Sequence, residues 1–163
     1  GIPRFETALL YPGTCLFEGT NLSEGRGTTF PFEMIGAPYI KPERLADEMN
    51  AKKLPGVVFR PVYFKPTTSK HQGTVCGGVQ LYVTDYRALH ALETGVTLLF
   101  TIKENFEEFA FLPPVKENGR PFIDLLCGDK VYREEPADVP AMLERFREES
   151  DAFARMKRQF HLY

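Results

Sequence analysis

The chain has 163 residues, of which 43% are hydrophobic and 26% are charged, a composition typical of a folded globular protein rather than a disordered one. Its 20 basic and 22 acidic residues give a net charge of −2, which offers no electrostatic reason to bind nucleic acid or an anionic membrane surface. No apolar run approaches the ~20 residues that cross a bilayer, so we expect no membrane span. The length fits a single domain over residues 1–163.

The amino terminus carries no signal-peptide pattern, because residues 1–4 are not a charged region followed by a long apolar one. The chain instead runs directly into an apolar stretch at residues 8–11. We interpret this abrupt start as that of a piece cut from a longer protein.

The first half of the chain, residues 1–80, is rich in glycine and proline, and we predict that it consists mostly of long loops with short strands. Strands are predicted at residues 30–35, 57–64 and 79–84, where β-branched and aromatic residues cluster. Pro61 cannot donate a ladder hydrogen bond, so the second strand should lie at a sheet edge or carry a bulge.

Helical periodicity predicts four helices. Pro42 suits a first helical turn, and the apolar spacing predicts a helix over residues 42–52. A longer apolar stripe predicts a core helix from about residue 86 to 106, capped by Thr84 or Asp85. A short helix is expected at residues 122–127.

A long terminal helix is predicted from Val139 to Phe160, with one apolar face and one charged face that we interpret as solvated. Together these elements predict an α+β fold, in which a small mixed or antiparallel sheet is packed by two or three helices. The Gly/Pro-rich loops belong to its first half.

Three cysteines, Cys15, Cys76 and Cys127, lack the C-x-x-C spacing of zinc and redox sites. We expect buried thiols, with a Cys15–Cys76 disulfide as the second possibility. The three histidines are too scattered for a metal site, and the glycine runs do not continue as a nucleotide-binding fingerprint. We therefore expect neither a metal nor a cofactor.

Two polar segments carry the candidate chemistry. Residues 18–29 place two carboxylates, an arginine, an amide and four hydroxyls among glycines, a mixture that suits the many hydroxyls of a sugar. Residues 65–73 form a second polar loop between two predicted strands and contain Lys70 and His71. The alternatives are an ordinary polar turn and a solvent-exposed histidine in a lysine-rich loop.

Seven short motifs in these segments resemble the signatures of one family, the exo-acting β-N-acetylmuramidases of bacterial peptidoglycan turnover. They occur in the family's order: YPGTCLFEGTN (11–21), SEGRGT (23–28), PFE (31–33), IGAP (35–38), FRP (59–61), SKH (69–71) and CGGVQ (76–80). A thinner similarity extends through residues 122–128 and the final helix. Members of this family carry a larger Rossmann-like amino-terminal domain before this region, so the resemblance implies the carboxy-terminal part of a two-domain protein.

The resemblance implies removal of terminal N-acetylmuramic acid from peptidoglycan-derived glycans, in a periplasmic or secreted setting. This chain would supply one wall of the active cleft, the other wall coming from the amino-terminal domain of the same protein. The isolated fragment is then expected to be inactive. Glycoside hydrolysis usually needs two carboxyl groups, for which Glu18 and Glu24 are candidates by residue type alone, so the catalytic residues remain unknown.

Six residues are predicted to bind substrate, and the segments 18–28 and 70–80 are predicted to meet on one side of the sheet, next to Gln80 and Tyr82. For Arg26 we favour a role in ordering the loop through Glu18 or Glu24, with recognition of the lactyl carboxylate of N-acetylmuramic acid as the alternative. The predicted substrate-binding residues are Glu18, Asn21, Arg26, Lys70, His71 and Gln80.

Two other functions stay open at this point. The chain could be a non-catalytic module that binds carbohydrate or protein, without a hydrolytic partner. It could also be a purely structural interaction domain, and this would predict that the loop from Glu18 to Arg26 is mobile and unpaired.

Overall fold

The computed structural model describes residues 2–117, 119–134 and 137–161. Three antiparallel strands form its sheet, β1 (Met34–Ala37), β2 (Val57–Phe64) and β3 (Cys76–Val83), in the spatial order β1-β3-β2. The central strand β3 pairs along its length with β2, whereas β1 is short and ends at Ala37. The predicted α+β fold with an antiparallel sheet is confirmed.

Five α-helices and three short 3-10 turns surround this sheet in the described part of the chain. The helices are α1 (Phe5–Thr14), α2 (Pro42–Ala51), α3 (Ala91–Asn105), α4 (Phe122–Cys127) and α5 (Val139–Lys157), and the turns are Cys15–Gly19, Val131–Arg133 and Arg158–Phe160.

The main core lies between one face of the sheet and helices α2 and α3. Successive side chains of a strand point to opposite faces, so Val79 and Leu81 of β3 face this core while Gln80 faces away. The buried members contributed by the helices are Leu45, Ala46, Met49, Val96, Leu98, Leu99 and Ile102.

Helix α1 packs against α3 at a contact where only glycine fits. A Cβ added at Gly13 would lie 1.9 Å from the carbonyl oxygen of Ala91, and one added at Gly95 would lie 2.3 Å from that of Gly13. The two backbones therefore approach directly, and this contact ties the start of the first polar segment to the core helix.

Several predicted boundaries agree with the structure. Strand β2 and helix α4 have the predicted limits, and α2 ends one residue early. The position of Pro61 is explained as expected, since β2 pairs on one side only and is an edge strand. Strand β2 forms its ladder hydrogen bonds with β3 alone, and its other edge has no strand partner among the residues that the structure describes.

Other predicted elements were wrong. Helix α1 lies in the half of the chain that was predicted to be mostly loop; Pro12 and Gly13 are in its last turn, where Thr14 Oγ1 donates to the carbonyl of Leu10. Strand β1 begins at Met34 rather than at residue 30, since Phe32 adopts a positive φ of 63° in a preceding turn.

The capping prediction for the core helix was also wrong. Helix α3 begins at Ala91 after His90, not after Thr84 or Asp85. Residues 84–90 instead form turns, in which Asp85 Oδ1 accepts from the backbone N–H of Arg87. Helix α5 ends at Lys157, short of the predicted Phe160, which lies in the following 3-10 turn; Phe153, Met156 and Phe160 are exposed.

All three cysteines are free thiols, so the Cys15–Cys76 disulfide does not form. Cys76 is buried, and burial raises its pKa to about 11. Cys15 and Cys127 are only partly buried. No helix among residues 2–117, 119–134 and 137–161 is long and apolar enough to cross a membrane.

Candidate functional site

Lys70 joins the two polar segments. It lies in the loop after β2, and its Nζ donates to the carbonyl oxygens of Phe17 at 2.8 Å, Thr20 at 2.9 Å and Leu22 at 2.7 Å. An ammonium group has three N–H donors, and these three carbonyls match them in number. The segments predicted to meet therefore do meet, over a sequence separation of about 50 residues.

Glu24 is the buried counter-charge of Lys70. Its side chain is 2% exposed, and Oε2 lies 2.8 Å from Lys70 Nζ. Oε2 is fully buried, and Lys70 is the cation that lies against it. Burial lowers the pKa of Lys70, and the attraction of Glu24 opposes that shift.

Arg26 links this buried pair to the surface. Its Nε lies 3.1 Å from Glu24 Oε1, its Nη2 donates to Glu18 Oε1, and its guanidinium lies over the ring of Phe32, 4.8 Å from the centroid. The hydrogen bond to Glu18 raises the pKa of Arg26. We call Lys70, Glu24, Arg26 and Glu18 the Lys70 cluster.

The outer part of the Lys70 cluster is accessible. The side chain of Arg26 is 42% exposed and that of Glu18 is 16% exposed. Arg26 Nη1 has no partner among the described residues. The structure shows Arg26 in contact with both Glu18 and Glu24, where an ordering contact with one or the other was predicted, and its Nη1 remains available as a donor at the surface.

His71 and Asn21 lie beside the Lys70 cluster. His71 Nε2 is 2.7 Å from the carbonyl oxygen of Asn21. The Asn21 side chain is occupied on both sides, since Nδ2 donates to the carbonyl of Glu108 and Oδ1 accepts from Tyr39 and from the N–H of Ala110. Asn21 thus anchors the loop, and the second ring nitrogen of His71 stays available.

Gln80 belongs to a different group of contacts. It is 2% exposed on β3, and its Oε1 accepts from Tyr82 at 3.3 Å and from Arg60 at 3.5 Å, with Arg60 lying over the Tyr82 ring. No hydrogen bond connects it to the Lys70 cluster within the described part of the chain. The structure brings five of the six predicted residues together and keeps Gln80 apart.

Backbone strain is concentrated at this site. Non-glycine residues rarely adopt a positive φ, and the described residues that do so are Phe32 (63°), Lys53 (53°), Ser69 (70°) and His71 (56°). Three of these four contact or flank the Lys70 cluster. Strain of this kind costs of order 1–3 kcal/mol per residue and persists only where surrounding contacts enforce it, which is common at functional sites.

The sequence analysis named Glu24 as a possible partner of Arg26, but it missed the pairing of Glu24 with Lys70 and the support of Arg26 by Phe32. The glutamate is visible in the motif SEGRGT, but nothing local indicates that its side chain is buried. The groups with unused hydrogen-bonding capacity at this surface are Glu18, Arg26 and His71. They offer an accessible carboxylate, a guanidinium and an imidazole to a ligand.

The polar loop is paired along its length, which argues against a purely structural domain with an unpaired loop at this position. In residues 2–117, 119–134 and 137–161, no group of three or more His, Cys, Asp or Glu side chains is arranged to hold a metal ion.

Residues 9–163 match the family described as exo-β-N-acetylmuramidase NamZ, C-terminal. A curated relative, the peptidoglycan β-N-acetylmuramidase NamZ of Bacillus subtilis (strain 168), is 42% identical over 99% of this chain. The chain spans only 39% of that relative's length.

Two solved structures of DUF1343 family proteins from Bacteroides fragilis NCTC 9343 share the fold. One superimposes with a TM-score of 0.83 at 26% identity, covering 99% of this chain and 43% of the other. The second has a TM-score of 0.65 at 24% identity, covering 99% and 42%. This chain belongs to the family of NamZ carboxy-terminal domains.

Proposed function

We propose that this chain is the carboxy-terminal part of a two-domain glycoside hydrolase that removes terminal N-acetylmuramic acid from peptidoglycan fragments. The surface formed by Glu18, Arg26 and His71 is its contribution to the active cleft, and an amino-terminal domain supplies the other wall. The family membership and the name of the Bacillus subtilis relative support the reaction class.

One observation carries the assignment of the surface. An accessible carboxylate, guanidinium and imidazole stand together on a base that is buried, ion-paired and strained. A rigid base of this kind is what catalysis by positioning requires, since misplacing a reacting group by ~1 Å can cost ~100-fold in rate. An ordinary polar turn has no need for it.

The candidate residues then divide by role. Glu18 and His71 face the glycan with free acceptor or ring-nitrogen capacity, while Asn21 and Lys70 hold the backbone that carries them. Arg26 orders the two glutamates, and its exposed Nη1 is the donor that a lactyl carboxylate would meet. Gln80 supports a neighbouring patch formed by Arg60 and Tyr82.

A second carboxylate is needed from elsewhere. Glycoside hydrolysis by acid–base or nucleophilic chemistry uses two carboxyl groups about 5 to 10 Å apart on either side of the bond. Glu24 is 2% exposed and faces two cations, so it does not suit contact with a glycosidic oxygen. Glu18 is the accessible carboxylate of the Lys70 cluster, and the amino-terminal domain supplies its counterpart.

This division makes the isolated chain inactive. We expect the full-length protein to release N-acetylmuramic acid from a chromogenic β-muramide, while the 163-residue chain binds weakly and shows no turnover. Comparable turnover by the isolated chain would remove the need for a second wall. An inactive full-length protein whose isolated chain still binds glycan would favour a non-catalytic carbohydrate-binding module.

Arg26→Lys in the full-length protein tests the recognition role, since it keeps the charge and removes the planar fork. We expect thermal stability to fall and the preference for muramic over glucosamine substrates to persist. Loss of activity on the muramic substrate alone, at unchanged thermal stability, would show that Arg26 recognises the lactyl group.

Cells that carry the protein should place it outside the cytoplasmic membrane, where its substrate lies, and cell fractionation can test this.

A further inference from the structure

We propose that Lys70 is a positioning residue rather than a ligand-binding one: it fixes the backbone of residues 17–22 and the carboxylate of Glu24, and so holds Glu18 and Arg26 in place. The catalytic part of this statement rests on the proposed function. The structural part stands on the contacts of Lys70 alone.

Acceptors surround all the N–H donors of the Lys70 ammonium. Lys70 Nζ makes three hydrogen bonds of 2.7 to 2.9 Å to carbonyl oxygens in the opposite loop. Its side chain is 22% exposed. With the Glu24 carboxylate, four acceptor atoms lie within 2.9 Å of Nζ, which has three N–H donors, so a ligand could bind Lys70 only by displacing one of these contacts.

The charges of the Lys70 cluster alternate in sign from Lys70 to Glu18. Lys70 lies against Glu24, Glu24 against Arg26, and Arg26 against Glu18. Glu24 is the most buried member of this series at 2% exposed, whereas Arg26 is 42% exposed and Glu18 is 16% exposed. A change at Lys70 can therefore reach Glu18 through three consecutive ion pairs, with Glu24 and Arg26 as the two intervening residues.

The backbone is strained on both sides of Lys70. Ser69 and His71 both adopt a positive φ, at 70° and 56°. This backbone turns Lys70 inward and lets His71 Nε2 approach the carbonyl of Asn21. Two neighbouring strained residues are unfavourable on their own, and the contacts of the lysine between them are what offsets that cost.

Arginine should not replace this lysine. An ammonium directs three donors from one atom toward three convergent carbonyls, whereas the planar guanidinium spreads its donors in a fork. The structure thus predicts that charge alone is insufficient at position 70. Lys65, an exposed lysine in the same loop, provides a matched control.

The test compares Lys70→Met, Lys70→Arg and Lys65→Met. Hydrogen exchange on the 163-residue chain should show about tenfold or greater loss of amide protection at Asn21 and Ser23 in both Lys70 variants, and none in Lys65→Met. Protection at Val79 should persist. In the full-length protein, kcat on a muramide should fall ~100-fold with KM nearly unchanged.

Two outcomes would overturn the proposal. Normal amide protection at Asn21 and Ser23 in both Lys70 variants would remove the structural part. A raised KM with unchanged kcat would make Lys70 a ligand-binding residue instead. If Lys70→Met does not fold, Lys70→Arg and Glu24→Gln carry the same exchange measurement. If the wild-type full-length protein is inactive, the proposed function fails, while hydrogen exchange still decides the structural role of Lys70.

Discussion

Two regions of this molecule contain ion pairs that differ sharply in burial. In the Lys70 cluster, Glu24 is 2% exposed and pairs with two cations. Along α5, Arg145 pairs with Asp129 and Glu149 at 3.3 and 3.7 Å, with exposed fractions of 43% to 66%. In the sequence both regions are mixtures of acidic and basic residues, but only the first contains a buried charged side chain.

The difference teaches where charge matters in this fold. An exposed pair contributes little because water and salt screen it, whereas removing one member of a buried pair leaves an uncompensated charge. The Lys70 cluster should therefore respond strongly to substitution and the α5 pairs weakly. Four predictions test this contrast, from the largest expected effect to the smallest.

Lys70→Met should lower the free energy of unfolding by about 3–5 kcal/mol, the range typical of breaking a buried ion pair. The physical reason is that three carbonyls lose their donor at once and Glu24 loses its nearest cation. Chemical denaturation of the 163-residue chain measures the change. A loss below about 1 kcal/mol would mean that water replaces the ammonium without penalty.

Gly27→Ala should cost about 2–4 kcal/mol, because φ is +78° and the new Cβ would lie 2.5 Å from the backbone nitrogen of Thr68. Gly73→Ala is the matched control, since φ is +75° there but nothing lies within 4 Å of the added Cβ. The control should lose only about 1–2 kcal/mol. Equal losses would show that the two loops are not in close contact.

Asp124→Asn should cost about 1.5–3 kcal/mol near neutral pH, since it removes the charge from a bidentate pair with Arg133 at 2.6 and 2.5 Å. The hydrogen bonds from Arg133 lower the pKa of Asp124 below its usual 3.8. The stabilisation is thus present above pH 3.8 and is lost as pH falls through the lower folded-state pKa.

Denaturation of wild type and Asp124→Asn at several pH values checks this prediction. The difference between them should be constant from about pH 7 to pH 5 and should shrink below pH 3.8. A difference that grows on acidification would have the wrong sign for a depressed carboxyl pKa and would contradict the pairing.

Arg145→Gln should change the free energy of unfolding by less than about 1 kcal/mol, because both of its ion pairs are exposed. The substitution also removes the guanidinium that lies 5.3 Å from the centroid of the Phe146 ring, a contact that contributes little at an exposed site. A thermal melt suffices for the measurement. A loss as large as that of Lys70→Met would remove the contrast between the two regions.

Strong local signals made part of the fold predictable. Residues 57–64 combine β-branched and aromatic residues, and Gly128 ends α4 in the left-handed conformation at φ 76°. Helix α1 and the start of β1 were missed because their signals are tertiary. Leu10 is buried and Gly13 contacts Gly95 where the two helices pack, but the local sequence contains Pro12 and Gly13, which usually indicate a turn.

The candidate site was predictable in its composition and not in its geometry. The motifs SEGRGT and SKH mark the two loops that meet at Lys70, and both motifs are made of polar residues and glycines that are unusual in core elements. The bonds of Lys70 reach across about 50 residues to backbone carbonyls, which any sequence would offer. Gln80 looked equally suitable, but its strand position turns it toward Arg60.

The most direct measurement of the central claim is turnover of a muramide by the full-length protein with Glu18→Gln, compared with Glu149→Gln on α5. If the surface of Glu18, Arg26 and His71 forms a wall of the active cleft, Glu18→Gln should lower kcat by about 100-fold or more, while Glu149→Gln leaves kcat unchanged. Both variants should fold, since Arg26 keeps its pairing with Glu24 in the first and Glu149 is 66% exposed in the second. Wild-type turnover in a folded Glu18→Gln protein would contradict the account.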